Sequence, residues 1–169
     1  MKNRPLEAGD KAPGFRALAV GGEYGDAGKT VSLDDFAGRT LVLYFYPKDD
    51  TPGCTTQACG LRDAWKDLSA RLNGSKHTGV LFGVSTDSAA SHAKFIKKYN
   101  LPFPLLVDDD RKLVEACGVW VEKSMYGKKY MGTERTTFII GADGKIRAIL
   151  RKVKPAEHAE QVLAEVAGM

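Results

Sequence analysis

One seven-residue stretch, residues 40–46, constrains the fold more than any other part of the chain. It reads Thr-Leu-Val-Leu-Tyr-Phe-Tyr, contains no charged residue, and is ended by Pro47. A continuous apolar run of this length, rich in β-branched and aromatic types, predicts a strand that is buried on both faces. Such a strand belongs at the centre of a sheet, so helices must cover the sheet on each side.

A polar loop, residues 48–53, follows this strand and leads into a helical pattern. Apolar residues then recur at spacings of three and four, the period of an amphipathic helix: Cys54, Ala58, Leu61, Trp65, Leu68 and Leu72. Thr51 is a suitable N-cap and Pro52 falls at the first helical position. We therefore predict one helix from these residues to Leu72, ended by Asn73-Gly74.

The rest of the chain continues the alternation of strands and helices. Residues 1–30 are rich in Gly, Pro and charge, and predict irregular structure with short edge strands. Further on we predict a buried strand at 80–85, a helix capped by Asp87 or Ser88, a short strand at 105–107, helical turns at 111–116, a hairpin of strands 136–140 and 145–150, and a last helix that begins at Pro155.

This order predicts an α/β fold: a central mixed β-sheet flanked by helices on both faces, as in the thioredoxin-like fold. Because no linker, repeat or low-complexity tract interrupts the pattern, we expect residues 1–169 to form a single domain.

Composition restricts the class of partner. The chain is 43% apolar and 27% charged, and its net charge of +4 comes from Lys and Arg that alternate with Asp and Glu. A mixed surface of this kind does not favour nucleic-acid binding. The N-terminus is polar and the longest apolar run is too short to span a bilayer. We expect a cytoplasmic protein that binds neither nucleic acid nor membrane.

The three cysteines are the candidate reactive groups. Cys54 lies in the first turn of the predicted helix, among unpaired backbone N–H groups at the positive end of the helix dipole. This position favours the thiolate, which is the nucleophilic form. From position alone, Cys54 could equally be the first residue of the apolar face. Cys117 lies in a packed segment, and we interpret it as a buried structural thiol.

Metal and cofactor sites are not predicted. His77, His92 and His158 are scattered without the spacing of metal ligands, and no second Cys/His pair stands at zinc spacing. The chain also contains no Gly-rich phosphate loop, so we expect no nucleotide cofactor.

A longer motif surrounds Cys54. Pro47-Lys-Asp-Asp-Thr51-Pro-Gly-Cys54 resembles the Pro-x-x-x-Thr-x-x-Cys signature of the peroxiredoxins, which have a thioredoxin-like fold and reduce peroxides. Continued to Cys59, it is similar to the subfamily called PrxQ or bacterioferritin comigratory protein. Further similar segments lie along the chain: Ala12-Pro-Gly-Phe15, Val31-Ser-Leu-Asp-Asp-Phe36, Gly118-Val-Trp120 and Arg135-Thr-Thr-Phe138.

The resemblance implies a role for each motif residue. Cys54 is then the peroxidatic cysteine, and Thr51 hydrogen-bonds its sulfur and the incoming peroxide. Arg135 lies against the thiolate, whose negative charge its permanent positive charge stabilises. Pro47 shields the site from water. Without the resemblance, Arg135 could equally be a surface arginine paired with Glu134.

The resemblance also makes Cys59 the resolving cysteine, which forms an intrachain disulfide with Cys54 that a thioredoxin-like dithiol protein reduces; it suggests a monomer. In a regular helix, Cα atoms five residues apart are about 8 to 9 Å apart. A disulfide requires less than about 7 Å. We therefore predict that the helix around Cys54 unwinds when the disulfide forms.

Two other functions compete with peroxide reduction. A thiol–disulfide oxidoreductase on the same fold is expected to carry Cys-x-x-Cys, whereas four residues separate Cys54 from Cys59. A domain without redox activity could also retain the scaffold.

Overall fold

The computed structural model describes residues 4–73 and 79–168, which form nine strands and five α-helices. The strands are β1 (Arg16–Val20), β2 (Lys29–Ser32), β3 (Thr40–Phe45), β4 (Gly79–Ser85), β5 (Leu105–Val107), β6 (Trp120–Met125), β7 (Lys128–Thr133), β8 (Thr136–Ile140) and β9 (Ile146–Arg151). The helices are α1 (Pro52–Asp63), α2 (Trp65–Leu72), α3 (Ala89–Tyr99), α4 (Lys112–Ala116) and α5 (His158–Ala167).

Seven strands form one mixed sheet in the order β2-β1-β5-β4-β3-β8-β9. The three inner strands β5, β4 and β3 are parallel, and every other pairing is antiparallel. Strand β3 therefore lies inside the sheet, as its apolar run predicts. Strands β6 and β7 form a separate antiparallel ribbon.

The core consists of two apolar clusters on opposite faces of this sheet, because alternate residues of β3 point to opposite sides. Leu41 and Leu43 belong to one cluster, which α4 covers; Val42 and Tyr44 belong to the other, which α1, α2, α3 and α5 cover. The predicted mixed sheet with helices on both faces is thus confirmed.

The prediction of one continuous helix to Leu72 is wrong. The helix is interrupted at Ala64, whose ψ of 2° lies far from the α-helical value, so that α1 ends and α2 begins there. Just after the bend, the Trp65 ring packs 5.6 Å from the ring of Phe103, and Leu61 and Leu68 enter the same apolar cluster. The helical period survives the bend, which is why spacing alone did not reveal it.

Other boundaries differ less. The Ser88 side chain caps α3 by accepting a hydrogen bond from the Ser91 N–H, as predicted. The last helix begins at His158, three residues after Pro155, because residues 155–157 form turns. Gly74, part of the predicted helix end, lies outside the described residues, as does His77. The β6–β7 ribbon was not predicted because its exposed, mostly polar residues lack a buried face.

Candidate active site

Cys54 lies where the sequence places it, in the first turn of α1 just beyond the carboxyl end of β3. Thr51 is the N-cap residue with extended backbone, and Pro52 occupies the first helical position. The Cys54 side chain is 1% exposed and joins the cluster that contains Tyr44 and Ala58. The sulfur therefore combines the electrostatic field of a helix N-terminus with exclusion of bulk water.

The Thr51 hydroxyl does not cap the helix. It donates a hydrogen bond of 2.8 Å to the carbonyl oxygen of Lys48, which closes the loop before α1. Because the hydroxyl proton is used in this bond, the Thr51 oxygen is left with lone pairs that can accept a hydrogen bond from a further donor.

Arg135 approaches α1 from the segment between β7 and β8. Its Nη1 donates to Oε1 of Gln57 at 2.9 Å, and its Nη2 lies 2.7 Å from the point that a Cβ on Gly53 would occupy. Only a glycine at position 53 leaves room for the guanidinium at this place. Among the described residues, Arg135 forms no ion pair with Glu134, whose carboxylate accepts a bond from Thr136 instead.

A second basic residue, Lys123 of β6, lies close enough to Arg135 and Cys54 for their charges to act on it. Burial and the positive charge of Arg135 lower the pKa of Lys123, while the charges of Cys54 and Glu134 act in the opposite direction. Sequence reasoning did not find Lys123, because its proximity to Cys54 depends on a ribbon that the sequence did not predict.

A buried hydrogen-bonded chain continues from Arg135 into the protein. The Gln57 amide nitrogen lies 3.1 Å from Nδ1 of His158, and Nε2 of His158 lies 2.7 Å from the Thr137 hydroxyl. Burial, together with the charge of Arg135, lowers the pKa of His158 to about 4. Neither Gln57 nor His158 was a predicted site residue, and no spacing in the sequence connects residues that are 101 positions apart.

The loop that bears Thr51 is anchored by a second buried cluster. The Asp49 carboxylate accepts hydrogen bonds from the hydroxyls of Tyr46 and Ser91 and contacts Nδ1 of His92 at 2.7 Å. The backbone N–H of Asp49 donates a hydrogen bond of 2.8 Å to the Asp87 carboxylate. Ligand atoms of Asp49, Asp87 and His92 lie within 4.8 Å of one another, as in a metal site. Protein donors already occupy these oxygens, so the cluster is built as an anchor for the loop.

The other two cysteines have different surroundings. Cys59 is partly exposed on α1, while Cys117 is buried at the end of α4, where burial and Asp108 raise its pKa to about 12. Cys117 is therefore a thiol rather than a thiolate, which agrees with its interpretation as a structural residue. Pro47 is partly buried, directly after Tyr46 at the end of the central strand.

No helix among the described residues combines the length and the apolar character needed to cross a bilayer.

The site contains a buried cysteine in the first turn of a helix, close to an arginine and at the carboxyl end of a central parallel strand. This is the arrangement of a thiol enzyme on a thioredoxin-like fold. The AhpC/TSA family model matches residues 8–149. Peroxiredoxin Bcp of Bacillus subtilis is 47% identical over 164 residues, which are 97% of each chain. Peroxiredoxin Bcp of Escherichia coli is 44% identical over 160 residues, which are 94% of each chain.

Solved structures give the same result. A mutant of PrxQ from Xylella fastidiosa has a TM-score of 0.83 at 32% identity and covers 98% of both chains. The bacterioferritin comigratory protein of Xanthomonas campestris has a TM-score of 0.78 at 36% identity and covers 91% of this chain and 90% of its own. The chain therefore belongs to the AhpC/TSA family, among the peroxiredoxins of the Bcp or PrxQ type. It is a thiol peroxidase, an oxidoreductase that acts on peroxides and is regenerated by thiol reductants.

Proposed function

We propose that Cys54 is the peroxidatic cysteine. Its thiolate attacks the terminal oxygen of a hydroperoxide, and the S–O bond forms as the O–O bond breaks. The sulfur is oxidised to a sulfenic acid, and the leaving oxygen takes up a proton to give water or an alcohol. The X. campestris relative reduces alkyl peroxides. We propose both hydrogen peroxide and organic hydroperoxides as substrates here.

The position of Arg135 against Gly53 and Gln57 is the observation that carries this proposal. It puts a permanent cation at the first turn of the helix that bears Cys54. A guanidinium placed there stabilises the thiolate and holds the peroxide oxygens as charge moves between them. Thr51 accepts the hydrogen bond of the peroxide O–H, since its own proton is donated to Lys48. Pro47, at the end of the central strand, limits the access of water.

We propose that Cys59 is the resolving cysteine. Its sulfur attacks the sulfur of the sulfenic acid, the S–S bond forms, and the hydroxyl leaves as water with the proton of Cys59. Because an intact helix holds the two Cα atoms too far apart, α1 must unwind. Gln57 lies between the two cysteines, so this step also breaks its bonds to Arg135 and His158.

Hydrogen exchange tests the unwinding. In an oxidised protein with the Cys54–Cys59 disulfide, amides of residues 54–61 should exchange faster than in the reduced protein, while those of α2 beyond the bend remain protected. Full helical protection across residues 54–61 in the oxidised protein would contradict it.

A dithiol protein of the thioredoxin class is the proposed reductant, since a disulfide on a helix that has unwound is open to exchange through a mixed disulfide. We propose that the enzyme acts in the cytoplasm, where such reductants keep thiols reduced, as a single-domain monomer.

Stopped-flow mixing of the reduced protein with hydrogen peroxide tests the whole assignment. Cys54 should react several orders of magnitude faster than free cysteine, and Cys54→Ser should abolish the reaction. Cys59→Ser should leave the first step fast and allow the sulfenic acid to be trapped with dimedone. A rate close to that of free cysteine overturns the proposal, and Cys117→Ser serves as the control.

A further inference from the structure

In the buried hydrogen-bonded chain from Arg135 to Thr137, the chemistry of the groups determines which atom donates and which accepts. A guanidinium has donors only, so the Gln57 atom that faces Arg135 must be the amide oxygen. The amide nitrogen, also a donor, then faces Nδ1 of His158. Nδ1 must therefore accept, the proton of the ring lies on Nε2, and Nε2 donates to the Thr137 oxygen.

We propose that His158 is a positioning residue for peroxide reduction: by accepting the Gln57 amide hydrogen at Nδ1, it keeps the Gln57 oxygen turned toward Arg135 and so holds the guanidinium beside Cys54. His158 is 0% exposed and its ring nitrogens bond to Gln57 and Thr137, so we infer that it acts on the site through Gln57. This inference rests on the proposed role of Arg135 and adds a residue from α5 to the site.

The surroundings of His158 support this state of the ring. Burial and the nearby Arg135 lower its pKa to about 4, so the ring is neutral at neutral pH and Nδ1 is free to accept. Its ring also packs 5.4 Å from that of Tyr44, which restricts the orientation of the ring plane. If Nδ1 carried a proton, it would face the Gln57 NH2 group, and the amide would have to turn and present this group to Arg135.

A set of substitutions separates positioning from folding. His158→Leu removes the acceptor. His158→Asn restores one, because Oδ1 of asparagine branches from the same carbon as Nδ1 of histidine. We expect sulfenic acid formation with hydrogen peroxide to be about tenfold slower for His158→Leu and within about threefold of wild type for His158→Asn. If leucine impairs folding, His158→Phe provides a second variant without an acceptor and retains a ring against Tyr44.

Two readouts identify the mechanism. Alkylation of Cys54 by iodoacetamide offers no peroxide oxygens for Arg135 to hold. Both reactions are compared at a pH high enough that Cys54 is fully ionised, so that stabilisation of the thiolate by Arg135 does not affect the comparison. Under these conditions the alkylation rate should change by less than about threefold in His158→Leu. In the Gln57→Leu background, His158→Leu should slow the peroxide reaction by no more than about twofold further, because both changes remove the same interaction.

The outcomes are distinct. A wild-type protein that reacts no faster than free cysteine overturns the proposed function. A fast wild type with an equally fast, folded His158→Leu variant overturns the positioning role alone. The positioning role is also overturned if the rate losses of His158→Leu and Gln57→Leu multiply in the double variant. It is likewise overturned if His158→Leu slows the peroxide and alkylation reactions equally.

Discussion

His92 and His158 are two histidines whose side chains are both completely buried. His92 contacts Asp49 in the loop before α1, and His158 contacts Gln57 on α1. His158 lies between an amide donor and a hydroxyl, so a neutral ring satisfies all its partners. His92 lies between the Asp49 carboxylate and the Leu106 carbonyl oxygen, 2.7 and 2.8 Å away. Two acceptors require two protons, so either both nitrogens of His92 are protonated or Asp49 holds the second proton.

The difference shows that burial alone does not determine the state of a histidine; its partners do. The pair of His92 and Asp49 joins α3 and β5 to the loop that carries Thr51, and therefore stabilises the scaffold. The neutral His158 joins α5 to Gln57 and so to Arg135, and in the proposed mechanism it serves the reaction. We expect changes at His92 to affect mainly stability, and changes beside Arg135 to affect mainly rate.

The largest effect on stability is expected for His92→Leu. It removes the His92 partner of the buried Asp49 side chain, and loss of one member of such a buried pair costs about 3 to 5 kcal/mol. Urea unfolding should show this as a lower midpoint with an unchanged slope.

A double-mutant cycle provides the control. In the Asp49→Asn background, where no carboxylate is left unpaired, His92→Leu should cost at least about 1 kcal/mol less than in wild type. Strictly additive losses of unfolding free energy would show that His92 and Asp49 do not interact. They would contradict the role of this pair in stabilising the scaffold.

The next effect is on the pH dependence of stability. The folded state lowers the pKa of His158 from an ordinary value of 6.5 to about 4, so between these values the unfolded chain binds more protons. The contribution of His158 is complete above about pH 6.5 and is lost as the pH falls toward 4, by about 3 kcal/mol in total. Unfolding free energies measured across this range should show the decrease.

His158→Asn isolates this contribution, because asparagine does not titrate while all carboxyl groups remain. The variant should lose less stability than wild type between about pH 6.5 and pH 4. Parallel curves for the two proteins would mean that His158 is not buried in its neutral form.

A smaller effect is expected for Thr137→Val, which has nearly the same shape. The Nε2–H of His158 then lacks its acceptor, at a cost of about 2 kcal/mol, while Nδ1 still accepts from Gln57. The rate of peroxide reaction should therefore stay close to that of wild type in the same stopped-flow assay. A large loss of rate would show that the orientation of Gln57 depends on both nitrogens of the ring.

The sequence predicted the parts of this site that depend on local order. The apolar run before Pro47 and the helix start at Thr51 and Pro52 placed Cys54, since each depends on neighbours within a few residues. The bend at Ala64 was missed because the helical period continues through it. Lys123 and His158 were missed because tertiary packing brings them to the site from distant segments. Gln57 lies on α1 near Cys54, but it was missed because its partners Arg135 and His158 are far away in the sequence.

Gly53→Ala is expected to have the smallest effect on stability and a clear effect on rate. Its backbone permits alanine, and replacing glycine in a helix gains up to about 1 kcal/mol. The new Cβ would lie 2.7 Å from Nη2 of Arg135, so the guanidinium must move away from Gln57 and Cys54. We expect a change in unfolding free energy within about 1 kcal/mol and a peroxide reaction slower by about tenfold or more.

Gly60→Ala is the matched control on the same helix, because its Cβ would meet only the Cβ of Ala159, at an ordinary 3.9 Å. It should gain similar helix stability and leave the rate of sulfenic acid formation unchanged. If Gly53→Ala is as fast as Gly60→Ala, the close approach of Arg135 to the helix is not needed for the reaction. If both variants form the sulfenic acid slowly, a stiffer α1 itself lowers the rate. The distinction between residues that stabilise the scaffold and residues that serve the reaction would then be contradicted.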